Sequence, residues 1–177
     1  MAQRLWISGL ALLILTTAVH SDDKTTEKAR AARPSLDRMK KLAGTWVAVD
    51  KDGKPTDQVV SIIKVTAGGS AVHETLFPGT DNEMVSVYYQ DGNDLVMTHY
   101  CMLGNQPRMK ADPKSPANQI HFLFDGGSNL DPKKDKHMHE GTLTFVDDDH
   151  IVFCGVCWDG GKPDKAHECA LKLARKK

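Results

Sequence analysis

The chain has 177 residues, of which 40% are hydrophobic and 26% are charged, so it suits one globular domain and excludes wholesale disorder. Lys and Arg number 23 and Asp and Glu number 23, which gives a formal net charge of zero. A balanced charge provides no basic surface for nucleic acid and no attraction to an anionic membrane. Aromatic residues make up only 6%, which argues against a stacking platform for single-stranded nucleic acid.

The N-terminus has the pattern of a secretory signal peptide. Arg4 precedes an apolar run from Leu5 to Val19, and Ser21 is the favoured residue before cleavage. A bilayer span needs roughly 20 apolar residues, so this shorter run favours cleavage over a transmembrane anchor. We therefore expect residues 1–21 to be removed and the mature protein to be secreted or periplasmic, without membrane attachment.

Residues 22–33 are charged and lack large apolar side chains, which predicts a flexible leader. The remaining residues, 34–177, contain no repeat and no linker and are expected to form one domain. That domain begins with a short helix over Ser35–Leu42, which Gly44 is expected to end. Its apolar residues are three apart and share one helix face: Leu36, Met39 and Leu42.

From Thr45 onward the hydrophobic period changes to two, which is typical of β-strands. Ten strands are predicted: Thr45–Lys51, Gln58–Thr66, Ser70–Phe77, Glu83–Gln90, Asp94–Leu103, Pro107–Ala111, Gln119–Phe124, His137–Val146, His150–Trp158 and Ala166–Leu173. Four Asp-Gly pairs predict hairpin turns: Asp52-Gly53, Asp91-Gly92, Asp125-Gly126 and Asp159-Gly160. Gly126–Lys136 is the longest irregular connection. The pattern predicts an all-β fold, an antiparallel up-and-down barrel, because closure removes both sheet edges.

The segment Leu42-Ala-Gly-Thr-Trp46, a helix end followed by Gly-x-Trp, resembles the start of calycin barrels. These barrels include the lipocalins and the fatty-acid-binding proteins. The resemblance implies that Trp46 packs at the closed end of the barrel and that the lumen holds a small, partly apolar molecule. Fatty-acid-binding barrels place Arg inside, which makes Arg108 a candidate for binding a carboxylate or phosphate; a surface pair with a carboxylate is the equal alternative.

The domain also resembles a group of exported bacterial proteins that have no established activity. The shared segments are Val65–Gly79, Thr98–Cys101, Gly104–Met109 and His137–His139. This resemblance covers roughly residues 44–149 and implies a fold and a location, but no reaction.

His73 and Glu74 are adjacent within a predicted strand, so one of the two side chains must point into the barrel. A buried Glu needs a partner or a raised pKa, and Arg108 or Lys64 could serve as the partner. The full set of candidates for contacting a ligand is Trp46, His73, Glu74, Tyr100 and Arg108.

Three pairs of metal-ligating residues have the i, i+2 spacing that places both side chains on one face of a strand. They are His137 with His139, His99 with Cys101, and His167 with Cys169. Nitrogen and sulfur ligands suit Zn²⁺ or a copper ion. The favoured alternative is that His137 simply ends a lysine-rich loop and is solvated.

Export permits disulfides, and all four Cys lie in the mature part. The spacing Cys154-Gly-Val-Cys157 is that of a redox motif, but it lies within a strand pattern rather than at a helix N-terminus, which disfavours redox catalysis. If the last hairpin centres on Gly161-Lys162, Cys154 falls opposite Cys169. The sequence therefore predicts a Cys154–Cys169 disulfide that contributes about 3 kcal/mol. Cys101 and Cys157 would then stay free or pair across the barrel.

No hydrolase, P-loop, dinucleotide-binding or zinc-protease motif is present, so the sequence favours a binding protein over an enzyme. The leading hypothesis is an exported barrel that binds a small ligand. The second is a metal- or haem-binding protein that uses the His and Cys pairs, with or without an associated activity. The third is a structural partner in the cell envelope with a filled lumen. Neither the cofactor nor the oligomeric state is fixed by the sequence.

Overall fold

A computed structural model describes residues 34–164 and 169–177; the predicted signal peptide and leader lie outside these residues. Among these described residues, one α-helix, α1, spans Leu36–Lys40, and a short 3-10 helix spans Ala67–Gly69. The strands are β1 (Gly44–Val49), β2 (Pro55–Thr66), β3 (Ala71–Leu76), β4 (Met84–Asp91), β5 (Asp94–Tyr100), β6 (Gln106–Ala111), β7 (Gln119–Ser128), β8 (His137–Phe145), β9 (His150–Asp159), β10 (Lys162–Pro163) and β11 (Cys169–Arg175).

The strands form a closed antiparallel barrel in which each strand pairs with its neighbours. Strands β1 to β9 follow one another around the wall, β9 also pairs with β11, and β11 pairs with β1, which closes the ring. Ten strands make the barrel, and the two-residue strand β10 pairs with β9 as an addition. The predicted all-β up-and-down barrel preceded by a short helix is confirmed.

The hairpin predicted at Asp125-Gly126 is wrong, because β7 continues through this pair to Ser128. Pro107 pairs with Gly127, and the next registered pair joins Met109 to Phe124, so β7 carries an extra residue there. Gly126 has a φ of +97°, a conformation that occurs in β-bulges as well as in hairpin turns. The positive φ that the Asp-Gly pair indicated is therefore found in a bulge of β7 and not in a turn.

The predicted disulfide between Cys154 and Cys169 is also wrong. In the observed register, Cys154 lies opposite Ala170 and Cys169 lies opposite Gly155. The turn after β9 is one residue earlier than predicted, and the register changes again between β10 and β11. A slip of one residue moves a side chain to the other face of the sheet. Cys154 is accordingly an exposed free thiol.

Helix α1 covers one end of the barrel. The backbone N–H of Leu36 donates to Gln90 Oε1 over 3.3 Å, and Arg38 Nη2 donates to the carbonyl oxygen of Ala117 over 2.6 Å. The Arg38 guanidinium also lies 4.0 Å from the centre of the Phe145 ring. These partners lie at the ends of β4 and β8 and before β7, which topology places at the same end. The predicted apolar face of the helix is buried. No helix of the described residues is long and apolar enough to cross a membrane.

Trp46 of the first strand, β1, contacts Arg175 of the last strand, β11, next to α1. The Trp46 side chain is fully buried, and its Nε1 donates to the carbonyl oxygen of Leu42 over 2.9 Å. The Arg175 guanidinium lies 4.5 Å from the centre of the Trp46 ring and donates to the carbonyl oxygens of Ala43 (2.8 Å) and Lys41 (3.1 Å). These contacts support the expected role of Trp46 at the closed end.

Gly44 opens β1 and does not cap the helix, which ends at Lys40. Its φ is +145°, and a Cβ atom at this position would lie 2.8 Å from Arg175 Nη1. The positive φ favours glycine at this position, and a larger residue would also displace the guanidinium of Arg175.

We predict that Arg175→Lys lowers the free energy of unfolding by about 1–3 kcal/mol, because lysine cannot stack flat on Trp46 while donating to two carbonyls. Urea unfolding measures the change. Lys177→Ala is the control: Lys177 contacts Asp149 at 3.4 Å but is 86% exposed, so its loss should cost less than about 0.5 kcal/mol. Equal effects of the two substitutions would contradict this role of Arg175.

Candidate functional site

A cavity of about 30 Å³ lies inside the barrel, next to α1. Its apolar lining includes Met39 of α1, Leu42 just after the helix, Met138 of β8, Phe153 of β9 and Leu171 of β11. Its polar lining comes from three adjacent strands, β3, β4 and β5: Glu74, Ser86, Tyr88 and His99. The cavity therefore has one polar wall and is otherwise apolar.

The register of the strands places the polar residues side by side. Glu74 lies opposite Ser86 in the β3–β4 pair, and Ser86 lies opposite His99 in the β4–β5 pair. Cross-strand partners share a face of the sheet, so all three point into the lumen. Tyr88 follows Ser86 by two residues and has the same orientation.

These residues form two neighbouring sets of buried hydrogen bonds. Ser61 Oγ donates to Glu74 Oε1 over 2.6 Å, and Tyr88 OH donates to Glu74 Oε2 over 2.6 Å. Beside them, Ser86 Oγ and His99 Nδ1 share a hydrogen bond of 3.0 Å. We call Ser61, Glu74, Ser86, Tyr88 and His99 the Glu74 network.

The acceptor positions of Glu74 are only partly used. Ser61 and Tyr88 each donate one hydroxyl proton to a carboxyl group that, when ionised, has about four acceptor positions. The polar wall thus has unused acceptors.

Burial shifts the titration of three members of the Glu74 network. Removal from water raises the pKa of Glu74, against the opposing effects of the Ser61 and Tyr88 hydroxyls and of His73. Burial, with the Glu74 charge, raises the pKa of Tyr88 well above its ordinary range. Burial also lowers the pKa of His99 to about 4. His99 is therefore uncharged at neutral pH.

The other predicted ligand-contacting residues do not join this site. His73 lies on the face of β3 opposite to Glu74, which settles which of the two enters the lumen. Trp46 is buried beside α1 and does not line the cavity. Tyr100, at the end of β5, is 50% exposed.

Arg108 lies on the outer face of β6, so its predicted place in the lumen is wrong. Its neighbour Met109 is fully buried, and alternation along the strand turns Arg108 outwards. The guanidinium pairs with the carboxylates of Asp91, over 2.9 Å, and Asp125. The alternative of a surface ion pair is confirmed.

A second cluster lies near the barrel end opposite α1, where His139 is stacked between two aromatic rings. Its ring centre lies 3.8 Å from that of Trp158 and 4.6 Å from that of Phe124. His137 is fully buried; its Nδ1 lies 2.7 Å from the carbonyl oxygen of Asp135 and its Nε2 lies 2.9 Å from His139 Nδ1. The facing nitrogens of the two histidines thus share a hydrogen bond. The expectation that His137 is solvated is wrong.

The structure does not assemble the predicted metal ligands into one cluster. His99 points into the lumen, whereas Cys101 lies beyond β5, where its backbone N–H donates to the carbonyl oxygen of Asn105. Within residues 34–164 and 169–177 no group of three or more His, Cys, Asp or Glu could hold a metal ion. The predicted pair of His167 and Cys169 falls on side chains outside the described residues.

Two buried polar atoms have no hydrogen-bond partner in the described part of the chain. They are the indole Nε1 of Trp158, next to His139, and Oδ1 of Asn105. Nδ2 of Asn105 donates to the carbonyl oxygen of Lys136 over 2.8 Å. An unpaired buried polar atom lowers the free energy of unfolding, so these two atoms destabilise this region.

The sequence interpretation missed Ser61, Ser86 and Tyr88. A signal for Ser86 was present, because a two-residue turn after Asp91 pairs Ser86 with His99. The loop between β3 and β4 is longer, so the register that brings Glu74 beside Ser86 could not be counted from a turn. Ser61 lies on β2 close to a bulge that shifts its register with β1.

Comparison of the chain with models of known protein families gives no match. Comparison with curated proteins gives no significant match either.

We predict that His99 makes the protein less stable as the pH falls from about 6.5 to about 4. His99 is 3% exposed with a pKa of about 4, so in this window the unfolded chain takes up a proton that the folded chain does not. The loss amounts to about 3 kcal/mol.

Urea unfolding across this pH range, compared between the protein and His99→Asn, isolates this effect. Asn retains a donor near Ser86 but does not titrate. Glu74 acts with the opposite sign, because its raised pKa favours the folded state at low pH, and it is common to both proteins. The variant should lose stability less steeply on acidification; parallel pH profiles would refute the effect.

Proposed function

We propose that this protein is an exported binding protein of the calycin type that holds one compact, partly apolar small molecule in its lumen. The observation that carries the proposal is the cavity above α1, with apolar walls and the Glu74 network on one side. Binding sites for small molecules combine such an apolar lining with a few converging polar groups. Export is supported by the signal-like N-terminus, and the calycin type by the helix and Gly-x-Trp start of the barrel.

The size of the cavity restricts the ligand. One water molecule needs roughly 10–15 Å³ of such space, so a cavity of about 30 Å³ holds a ligand of only a few non-hydrogen atoms. Met39 and Met138 line the cavity, and methionine side chains adapt their shape readily. A short apolar chain can therefore be admitted by their movement, but a haem is far too large.

Ser86 and His99 lie side by side, yet their arrangement does not favour hydrolysis. A base that activates a serine must accept its proton. Burial lowers the pKa of His99 to about 4, so His99 is a weak base at neutral pH. The surroundings of the pair therefore favour binding over catalysis.

The proposal is tested by titrating the protein with n-propanol while recording its isoleucine methyl signals by NMR. Ile63 and Ile151 line the cavity, whereas Ile62 points to the outer face of β2. We expect saturable shifts at Ile63 and Ile151 but not at Ile62. The dissociation constant should be roughly millimolar, at about 1 kcal/mol for each non-hydrogen atom.

Two tryptophan variants provide the matched controls. Leu171→Trp fills the cavity and should abolish the saturable shifts, whereas Leu123→Trp adds the same side chain at a position that is 41% exposed and should leave them unchanged. Shifts that are linear and equal at all three isoleucines would refute a binding site in the lumen.

A further inference from the structure

Glu74 is a buried carboxyl group without a positive partner. It is 9% exposed and accepts hydrogen bonds only from the two hydroxyls of Ser61 and Tyr88 among the described residues. No Lys or Arg of residues 34–164 and 169–177 forms an ion pair with it; the salt bridges involving those residues join other groups. A buried charge that lacks a partner of opposite sign is costly.

The groups that face Glu74 from each neighbouring element are uncharged at neutral pH. From β2 they are Ser61 and Ile63, and from β4 and β5 they are Ser86, Tyr88 and His99. The remaining lining, from α1, β8, β9 and β11, is apolar. His73 precedes Glu74 on β3 but points to the outer face and is not a cation of the lumen.

Two short hydroxyl contacts hold the carboxyl group of Glu74. Both O–H···O distances are 2.6 Å, at the short end of the range for such hydrogen bonds. A carboxylate has about four acceptor positions, so two remain after Ser61 and Tyr88 have donated. The polar wall therefore lacks donors and positive charge.

On the basis of the proposed function, we propose that the lumen binds a compact organic cation: a protonated primary amine with a short apolar tail. The ammonium group would donate to the free acceptor positions of Glu74 and supply the missing positive charge. Its tail would lie against the apolar wall that includes Phe153 and Leu171. An ammonium group has three donors and no acceptor, which complements a wall that has spare acceptors.

The same geometry disfavours an anionic ligand. The cation that the calycin resemblance would have placed inside, Arg108, is outside and already paired with Asp91 and Asp125. A carboxylate in the lumen would lie beside Glu74 with no positive group to separate them, and like charges repel strongly where water is excluded. The lumen therefore selects against fatty acids.

The test compares n-propylammonium, n-propanol and propionate, which share a three-carbon chain and differ in charge. Each is titrated at neutral pH and constant ionic strength, with the methyl signals of Ile63 and Ile151 as the readout. We expect propylammonium to bind at least about ten-fold more tightly than propanol, and propionate not to bind. Propanol and propylammonium binding equally would overturn the proposal while leaving a ligand-binding lumen intact. Failure of all three to bind would overturn the proposed function itself.

Glu74→Gln should reduce the affinity for propylammonium to that for propanol and leave propanol binding unchanged. Glu83→Gln is the matched control, because it removes the same charge from an exposed turn. It should preserve the ten-fold preference; loss of the preference in both variants would overturn the assignment to Glu74.

The pH dependence of the unmodified protein tests the proposal even if Glu74→Gln fails to fold. Burial raises the pKa of Glu74 above its ordinary value of 4.5 and lowers that of His99 to about 4, so on acidification Glu74 takes up its proton before His99 does, while the amine stays protonated. The affinity for propylammonium should therefore fall as the pH is lowered from neutral, while that for propanol stays constant. Identical pH profiles for the two ligands would overturn the proposal.

Discussion

The interior of this barrel depends on how a carboxyl group, that of Glu74, is accommodated away from water. A buried carboxylate requires hydrogen-bond donors and a compensating charge. Neighbouring strands supply the donors, since the hydroxyls of Ser61 of β2 and Tyr88 of β4 both donate to the carboxylate. The described residues do not supply the charge. The buried carboxylate of Glu74 thus lacks a compensating positive charge, which a bound cation would supply.

Closure of the barrel increases the energetic cost of leaving the Glu74 carboxylate without a positive partner. Helix α1 covers one end, and the contact of Arg175 with Trp46 holds the first and last strands together beneath it. The apolar residues of the helix and of the far wall keep the lumen small. In such surroundings every electrostatic interaction is stronger than in water. The exclusion of water that makes an uncompensated Glu74 carboxylate costly would therefore also strengthen its attraction for an ammonium group.

Much of the fold could be predicted from the sequence because local signals agreed. The spacing of Leu36, Met39 and Leu42 indicated the buried helix face, and alternation with Asp-Gly turns indicated the strands. The inward orientation of either His73 or Glu74 also followed from alternation alone. Where two strands are joined by a two-residue turn, as after Asp91, even the cross-strand neighbours could be counted.

The remaining features depend on register, which local patterns do not fix. Gly126 satisfies a turn or a bulge equally well, and the structure uses it for a bulge. One residue of slip in the last hairpin pairs Cys154 with Ala170 instead of the predicted Cys169. The orientation of Arg108 likewise depended on a strand whose alternation is Pro, Arg, Met and Lys, which indicates no clear inner face. Such errors matter in a barrel, because the orientation of each strand determines which side chains point into the lumen.

The most direct test of the central claim is the titration of Glu74 itself, followed by NMR of a ¹³C-labelled carboxyl group with Glu74→Gln used for assignment. The structure predicts a pKa above the ordinary value of 4.5 in the free protein. Saturating n-propylammonium should move that pKa downwards, because the bound cation favours the charged carboxylate. A pKa at or below 4.5 in the free protein, or one that the amine leaves unchanged, would contradict a lumen organised around an uncompensated carboxylate.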